Sequence, residues 1–516
     1  MSRRSRRCFL SDVGRGMLVA GLGSTAATEL GLANAAAFDG KSRLNFGTLE
    51  PLVNALQETP PDRVIPLAVE RLQSGSSLES IVAAAALANA RAFGGHDYTG
   101  FHTFMALLPA FQMAGELPTE RRALPVLKVI HRNSRRIHDQ EADDHDALPP
   151  LTETAPAGDP EGMALRGSIR AREQSEAEAR LAALCRESPE AAFSALQPAV
   201  EDDVNVHRVV LAWRAWAMLD LAGQEYAETL LRQSVRFCVD SENYLHDHNR
   251  QPPAIRDVLP RLLEEHRLLE GRLGTRVAED GWVEELARQV GFGGRDEAAA
   301  AVAAALQEGF DPESVGEAIS LAANLLVLHD PGRKPEYSSP EKPPGCVHGD
   351  STGVHASDAA NAWRSIARVS NPRNRAASLV VAAYHTAGQS TGMETGEYRY
   401  LPSVSDVKTD DQSVLLGELR TAIEGGDQSR ACAVTHCYGD AGHSPRPLQD
   451  LLLGYAISED GALHAEKYYR TATEEFAATR PAFQWRQLVA LARVTASEYG
   501  HPAPGYDSAC ELLGIT

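Results

Sequence analysis

The chain has 516 residues, 43% of them hydrophobic and 23% charged, which is enough for two globular domains. Aromatic residues make up only 6% and alanine is abundant, a composition that favours packed helices over β-sandwiches. The net charge of -20, without a long basic run, argues against nucleic acid as a partner. The seven cysteines include no CxxC pair, so the sequence lacks a zinc ribbon, a thioredoxin motif and a CxxCH haem attachment.

The N-terminus carries an export signal pattern. Residues 5–10, "SRRCFL", resemble the twin-arginine motif S-R-R-x-F-L, and a moderately apolar stretch leads from there to the small-residue sequence "ANA" at 33–35. The sequence therefore predicts a signal peptide over residues 1–35 and a periplasmic or secreted protein. The alternatives are a basic amphipathic anchor and an uncleaved membrane tail. No later segment has the roughly eighteen consecutive apolar residues of a membrane span, so no membrane association is expected after cleavage.

Helical periodicity runs through most of the remaining chain. Apolar residues recur at helical spacing in "SLESIVAAAALANARAF" and in "TGFHTFMALLPAFQMAGEL", the second with Pro109 inside it. Residues 140–167 are acidic and rich in Pro and Gly, which is typical of a loop or linker. These patterns predict an all-α protein.

The second half of the chain repeats themes of the first. "HGDSTGVHAS" at 348–357 resembles "GGHDYTGFHTF" at 94–104, and "PESVGEAISLAANLLVLHD" echoes the alanine-rich helix before it. We therefore predict an internal duplication of about 250 residues, with helical-bundle domains at 36–256 and 257–516.

In the first copy we expect Asp97 and Thr99 to cap a helix and Gly100 to let the preceding turn close. The helix would then carry His102 inward on its first turn. The second copy has the same residue types at Asp350, Thr352, Gly353 and His355.

The predicted repeat also aligns histidines. His102 pairs with His355, His131 with His385 and His207 with His464, at offsets of 253, 254 and 257 residues. Imidazole is the commonest side-chain metal ligand, and helical bundles build metal sites from facing helices. Asp97 and Asp350 could ligate the metal or orient a histidine. The predicted metal ligands are thus His102, His131, His355, His385, His207, His464, Asp97 and Asp350. The alternative is that these histidines cap helices and form buried hydrogen bonds.

The two Thr-Gly-x-His segments, Thr99–His102 and Thr352–His355, with His131 and His385 in later helices, resemble the questin oxidase-like proteins. They also resemble the helical region that follows Rieske domains in some bacterial proteins. The resemblance implies a helical oxidoreductase with a small-molecule substrate. The Rieske pattern of C-x-H with C-x-x-H is missing, which leaves the electron source and any electron-transfer partner unspecified.

The predicted function is an exported, histidine-rich oxidoreductase that depends on iron, copper or haem. The alternatives are a cofactor-free helical binding or scaffold protein and a metal-dependent hydrolase.

Overall fold

A computed structural model describes residues 43–139, 147–151, 155–156, 158–269 and 271–515. The predicted signal peptide lies outside these residues, and so do residues 140–146, 152–154 and 157 of the predicted loop at 140–167. The loop prediction is wrong for residues 163–167, which form the start of a helix, Met163–Arg170. Within them every regular element is a helix, and the only β pairings are the isolated bridges Arg276–Phe310 and Glu459–Pro502. The all-α prediction is confirmed. None of the helices described is both long and apolar enough to cross a membrane.

The first half of the chain contains the helices α1 to α12. Their bounds are α1 Glu50–Glu58, α2 Pro61–Gln73, α3 Leu78–Phe93, α4 Tyr98–Ala114, α5 Leu124–Asp139, α6 Met163–Arg170, α7 Gln174–Glu187, α8 Pro189–Val200, α9 Val206–Ala217, α10 Leu219–Ala222, α11 Ala227–Asp247 and α12 Ile255–Glu265.

The second half contains α13 to α24. Their bounds are α13 Asp280–Phe292, α14 Arg295–Gln307, α15 Pro312–His329, α16 Thr352–Val369, α17 Pro372–Ala387, α18 Leu401–Val404, α19 Gln412–Glu424, α20 Gln428–Asp440, α21 Pro445–Ser458, α22 His464–Ala478, α23 Trp485–Glu498 and α24 Tyr506–Leu513.

Alanine-rich inner helices form the core. In α3, nearly every residue from Ile81 to Phe93 is buried, and α15 is buried from Ser314 to His329. These helices are buried on all sides, as expected for helices surrounded by other helices. Ser77 caps the start of α3 by accepting a hydrogen bond from the Ser80 amide, and Gly94 ends it in the left-handed conformation at φ 54°.

Four helices at the centre form a closed ring. α4 contacts α9, α9 contacts α16, α16 contacts α22, and α22 returns to α4. Two neighbouring helices of the ring, α4 and α9, come from the first half, and the other two, α16 and α22, come from the second half. The chain from Phe46 onward forms one compact unit.

Helices that the predicted repeat equates make equivalent contacts. α3 packs on α4 as α15 packs on α16, and α9 packs on α11 as α22 packs on α23. The last helix of each half packs on the other half: α12 contacts α14 and α17, and α24 contacts α2 and α5. The predicted division after residue 256 falls inside α12. The duplication itself stays a prediction.

Candidate functional site

The four central helices each place a histidine near their first turn. His464 is the first residue of α22, His207 the second of α9, His355 the fourth of α16 and His102 the fifth of α4. The ring of helices therefore brings four imidazoles together from positions far apart in the sequence. We call these four residues the histidine ring.

Neighbouring imidazoles of the histidine ring are in contact. Their ring centres are 4.6 Å apart for His102 and His207 and 5.8 Å for His207 and His355. The ring centres of His355 and His464 are 5.2 Å apart, and those of His464 and His102 are 5.6 Å apart, which completes the ring. The closest polar approach is 3.1 Å, between the Nε2 atoms of His102 and His207.

A backbone carbonyl fixes the tautomer of His102. Its Nδ1 lies 2.6 Å from the carbonyl oxygen of Tyr98, one turn earlier on α4. Because a carbonyl only accepts, Nδ1 must carry the proton, which leaves a lone pair on Nε2. That lone pair faces His207, whose Nε2–H donates to it. Histidines that bind metals commonly donate their other ring nitrogen to a carbonyl in this way.

Two nitrogens of the histidine ring lack partners. His355 Nε2 and His464 Nδ1 are buried and make no hydrogen bond with any described residue. A buried polar atom without a partner costs about 1–3 kcal/mol. Such nitrogens are available to a ligand.

Local sequence explains how two of these helices begin. Asp97 caps α4 by accepting from the Gly100 amide at 2.5 Å, and Asn205 caps α9 by accepting from the His207 amide at 2.9 Å. The expected role of Thr99 as a cap is wrong, because Thr99 already lies inside α4. α16 and α22 begin without a side-chain cap.

Gly100 and Gly353 serve close packing rather than a turn, since both are helical. A Cβ at Gly100 would lie 2.6 Å from the Phe93 ring. One at Gly353 would lie 2.7 Å from the Val327 amide nitrogen. Each glycine lets its histidine-bearing helix approach the preceding helix, α3 or α15.

Aromatic side chains cover one side of the histidine ring. Tyr98 contacts both His102 and His207, with ring centres 4.3 and 5.4 Å away, and Phe101 contacts the same pair. Tyr98 itself is 60% exposed, whereas His102 is 4% and His464 5% exposed. The site therefore lies just below the surface under Tyr98.

The environment keeps all four imidazoles neutral. Burial, followed by the positive charge of Lys467, lowers the pKa of His102 to about 2, of His207 to about 3 and of His355 to about 4. The same two causes lower the pKa of His464 well below its usual value. Helix N-termini also disfavour a protonated imidazole. A neutral imidazole is the form that ligates a metal.

Two residues near His464, Lys467 and His348, did not stand out in the sequence. Lys467 lies one turn after His464 on α22 and is 3% exposed. His348, in the segment between α15 and α16, lies 3.3 Å from Asp350 and 3.5 Å from Glu498. The predicted repeat aligns Lys467 with Val210. A lysine in place of an apolar residue was the one signal in the sequence that could have singled out Lys467.

The other predicted ligands lie outside the histidine ring. His131 on α5 packs against Gly505, and His385 on α17 is buried with its Nδ1 unpaired. Asp97 forms an ion pair with Arg136, and Asp350 forms ion pairs with Arg333 and Lys342. The structure thus brings together four of the eight predicted residues: His102, His207, His355 and His464.

As the side chains stand, no group of three or more His, Cys, Asp and Glu residues in the described ranges is arranged to hold a metal ion. No protein-family model, curated protein or solved structure matches the chain.

Proposed function

We propose that the chain is an exported oxidoreductase whose centre is one redox-active metal ion, iron or copper, held by the histidine ring. The observation that carries the proposal is the contact of four imidazoles from four helices, with buried nitrogens that have no partner. Imidazole suits both metals, and both exchange single electrons.

The spacing of the imidazoles supports a single ion. Four imidazoles on a tetrahedral ion with bonds of about 2.0 Å have ring centres roughly 5 Å apart. The observed separations run from 4.6 to 5.8 Å. Because the rings do not converge as they stand, binding would require rotation of imidazole side chains, with the helices staying in place.

The same spacing disfavours haem. Two histidines on opposite faces of a haem have the porphyrin between them. The Nε2 atoms of His102 and His207 are 3.1 Å apart, and the neighbouring rings are in contact around the whole circuit. The space between neighbouring imidazoles is therefore too small for a porphyrin.

The chain's own groups prepare the site for a metal. The Tyr98 carbonyl holds the His102 proton on Nδ1 and so directs the Nε2 lone pair inward. Burial keeps the imidazoles unprotonated, while Tyr98 and Phe101 limit access of water from one side. A bound iron or copper ion would supply electron transfer or oxygen activation. Twin-arginine export carries folded proteins, which fits a protein that acquires its metal before export.

The cofactor-free alternative has one observation in its favour. His102 and His207 already satisfy each other through a hydrogen bond, as they would in a purely structural cluster. That reading leaves His355 Nε2 and His464 Nδ1 unexplained.

A metal titration separates the two. Chelator-treated protein is incubated with Cu(II) or Fe(II), desalted and analysed for bound metal, with about one ion expected per chain. His102→Ala and His355→Ala should each lower the bound metal, and the double variant should lose little more, since ligands of one centre are not additive. His131→Ala, outside the ring, is the matched control and should keep its metal. Full metal in His102→Ala would overturn the proposal.

A further inference from the structure

A groove lies along α21, apart from the histidine ring. It consists of two cavities, of about 850 and 680 Å³, which share the lining residues Arg121, Asp450, Gly454 and Tyr506. Small-molecule pockets in proteins usually measure about 300–1,000 Å³. Glu116, which follows the C-terminal end of α4, lines the larger cavity, whereas His102 lies near the start of that helix. We call the two cavities together the α21 groove.

The larger cavity of the α21 groove offers apolar surface to a ligand. Leu117, Tyr506 and Ile515 line it and are half-buried, and the buried Leu453 and Ile457 line it as well. Partly exposed apolar side chains in a concave surface are stabilised when an apolar ligand covers them. This part of the groove therefore suits the body of an organic molecule.

The smaller cavity is positively charged. Arg121 and Arg420 line it against one acidic residue, Asp450, which lies 2.6 Å from Arg446 in an ion pair. Within the described part of the chain, the side chains of Arg121 and Arg420 make no hydrogen bond and no ion pair within 4.0 Å. Glu120, an acidic residue that is likewise without such a partner there, lines only the larger cavity. Two guanidinium groups are therefore free to bind an anion at this end, although the whole chain has a net charge of -20.

Two helical glycines keep the smaller cavity open. Gly417 on α19 and Gly454 on α21 line it and are exposed, and a Cβ on either would have no atom within 4 Å. Neither has a positive φ. Glycine inside a helix is less stable than alanine, so neither packing nor backbone geometry accounts for glycine at these positions. Room for a ligand against the two helices does account for it.

We propose that the α21 groove binds an amphipathic organic anion. Its carboxylate or sulfonate group would lie at Arg121 and Arg420, and its apolar body would pass Gly454 into the larger cavity. A guanidinium group binds such an anion through parallel charge-assisted hydrogen bonds. The groove does not include the histidine ring, so this inference does not depend on a metal.

A pair of fluorescent dyes tests the charge. Anilinonaphthalene sulfonate has a sulfonate on an aromatic body, and N-phenylnaphthylamine is the same body without the charge. One anilinonaphthalene sulfonate should bind per chain. The double variant Arg121→Gln, Arg420→Gln should weaken its binding by about tenfold or more, the usual weight of hydrogen bonds to a charged group, and should bind N-phenylnaphthylamine as the parent does. The control, Arg186→Gln with Arg288→Gln, removes two exposed arginines outside the groove and should bind both dyes as the parent does.

A larger side chain in the groove tests the cavity. Gly454→Leu should keep the helical circular dichroism of the parent, because its side chain enters open space, and should weaken binding of both dyes by about tenfold or more. The matched control is Gly281→Leu. Gly281 is a helical glycine in α13 whose Cβ would also have no atom within 4 Å, and it does not line the groove. This control should bind both dyes like the parent.

The outcomes are distinct. Unchanged affinity of the double arginine variant for anilinonaphthalene sulfonate would overturn the anion role, and unchanged affinity of Gly454→Leu for both dyes would overturn the site. A parent protein that binds neither dye would also overturn it. A parent dimer in sedimentation that Gly454→Leu dissociates would assign the groove to a second copy of the chain and overturn the ligand site. The metal content of the histidine ring is measured separately, so none of these results decides the proposed function.

Discussion

Replacement of His102 by glutamine should make the free energy of unfolding of the metal-free protein fall less steeply as the pH is lowered. Burial, followed by the positive charge of Lys467, lowers the pKa of His102 to about 2. An unfolded histidine takes up its proton near pH 6.5, so below that pH the unfolded state binds one proton more than the folded state. Stability from this group is therefore complete above about pH 6.5 and is lost as the pH falls toward about 2.

The magnitude follows from the width of this window. Each pH unit corresponds to about 1.4 kcal/mol, so the parent should lose about 2 kcal/mol through His102 between about pH 6.5 and pH 5. His102→Gln should not show this pH-dependent loss of stability, although it should be less stable than the parent at neutral pH. The assay is urea unfolding with a chelator present, followed by circular dichroism at several pH values. His246→Gln is the control, since that side chain is 59% exposed. Parallel curves for His102→Gln and the parent would refute the reasoning.

Three further changes test other parts of the account. Lys128→Met should lower the free energy of unfolding by about 3–5 kcal/mol, because it leaves Glu466 buried without its cation, and a second change, Glu466→Leu, should recover much of that loss. A Lys128→Met variant as stable as the parent in urea unfolding would contradict this. Gly353→Ala should lower the melting temperature, because the added Cβ would clash with the backbone of α15. Gly417→Ala is the control: its Cβ would have no atom within 4 Å, so the melting temperature should stay equal or rise. The reverse order of melting temperatures would contradict this explanation of Gly353. The double variant Arg6→Lys, Arg7→Lys should keep the precursor in the cytoplasm, as fractionation and immunoblotting would show. Normal export of this variant would rule out the twin-arginine route.

The helical class could be predicted from the sequence, and so could the four histidines that lie together in the structure. Alanine-rich stretches with helical periodicity predicted helices such as α3 and α15, which the structure contains. Matching of the two halves paired His102 with His355 and His207 with His464, and these four residues meet. A duplication would account for this, because equivalent helices that pack around a common centre bring equivalent side chains on their inner faces together there.

The remaining features depend on contacts that local sequence does not record. Asp97 and Asp350 were expected near a metal, but arginines from α5 and from the segment before α16 pair with them. The sequence did not single out Lys467, because a lysine in a helix usually extends into solvent. Its burial follows from the position of α22 in the central ring. Tyr98, next to the cap of α4, covers the site only because α9 brings His207 beneath it.

The most direct test is elemental analysis, with an absorption spectrum, of the protein purified from its native compartment. The account predicts about one iron or copper ion per chain, with no Soret band, and loss of that metal in His464→Ala. Protein that is free of metal as isolated, that takes up neither iron nor copper on reconstitution and that melts at the same temperature with and without a chelator would contradict it.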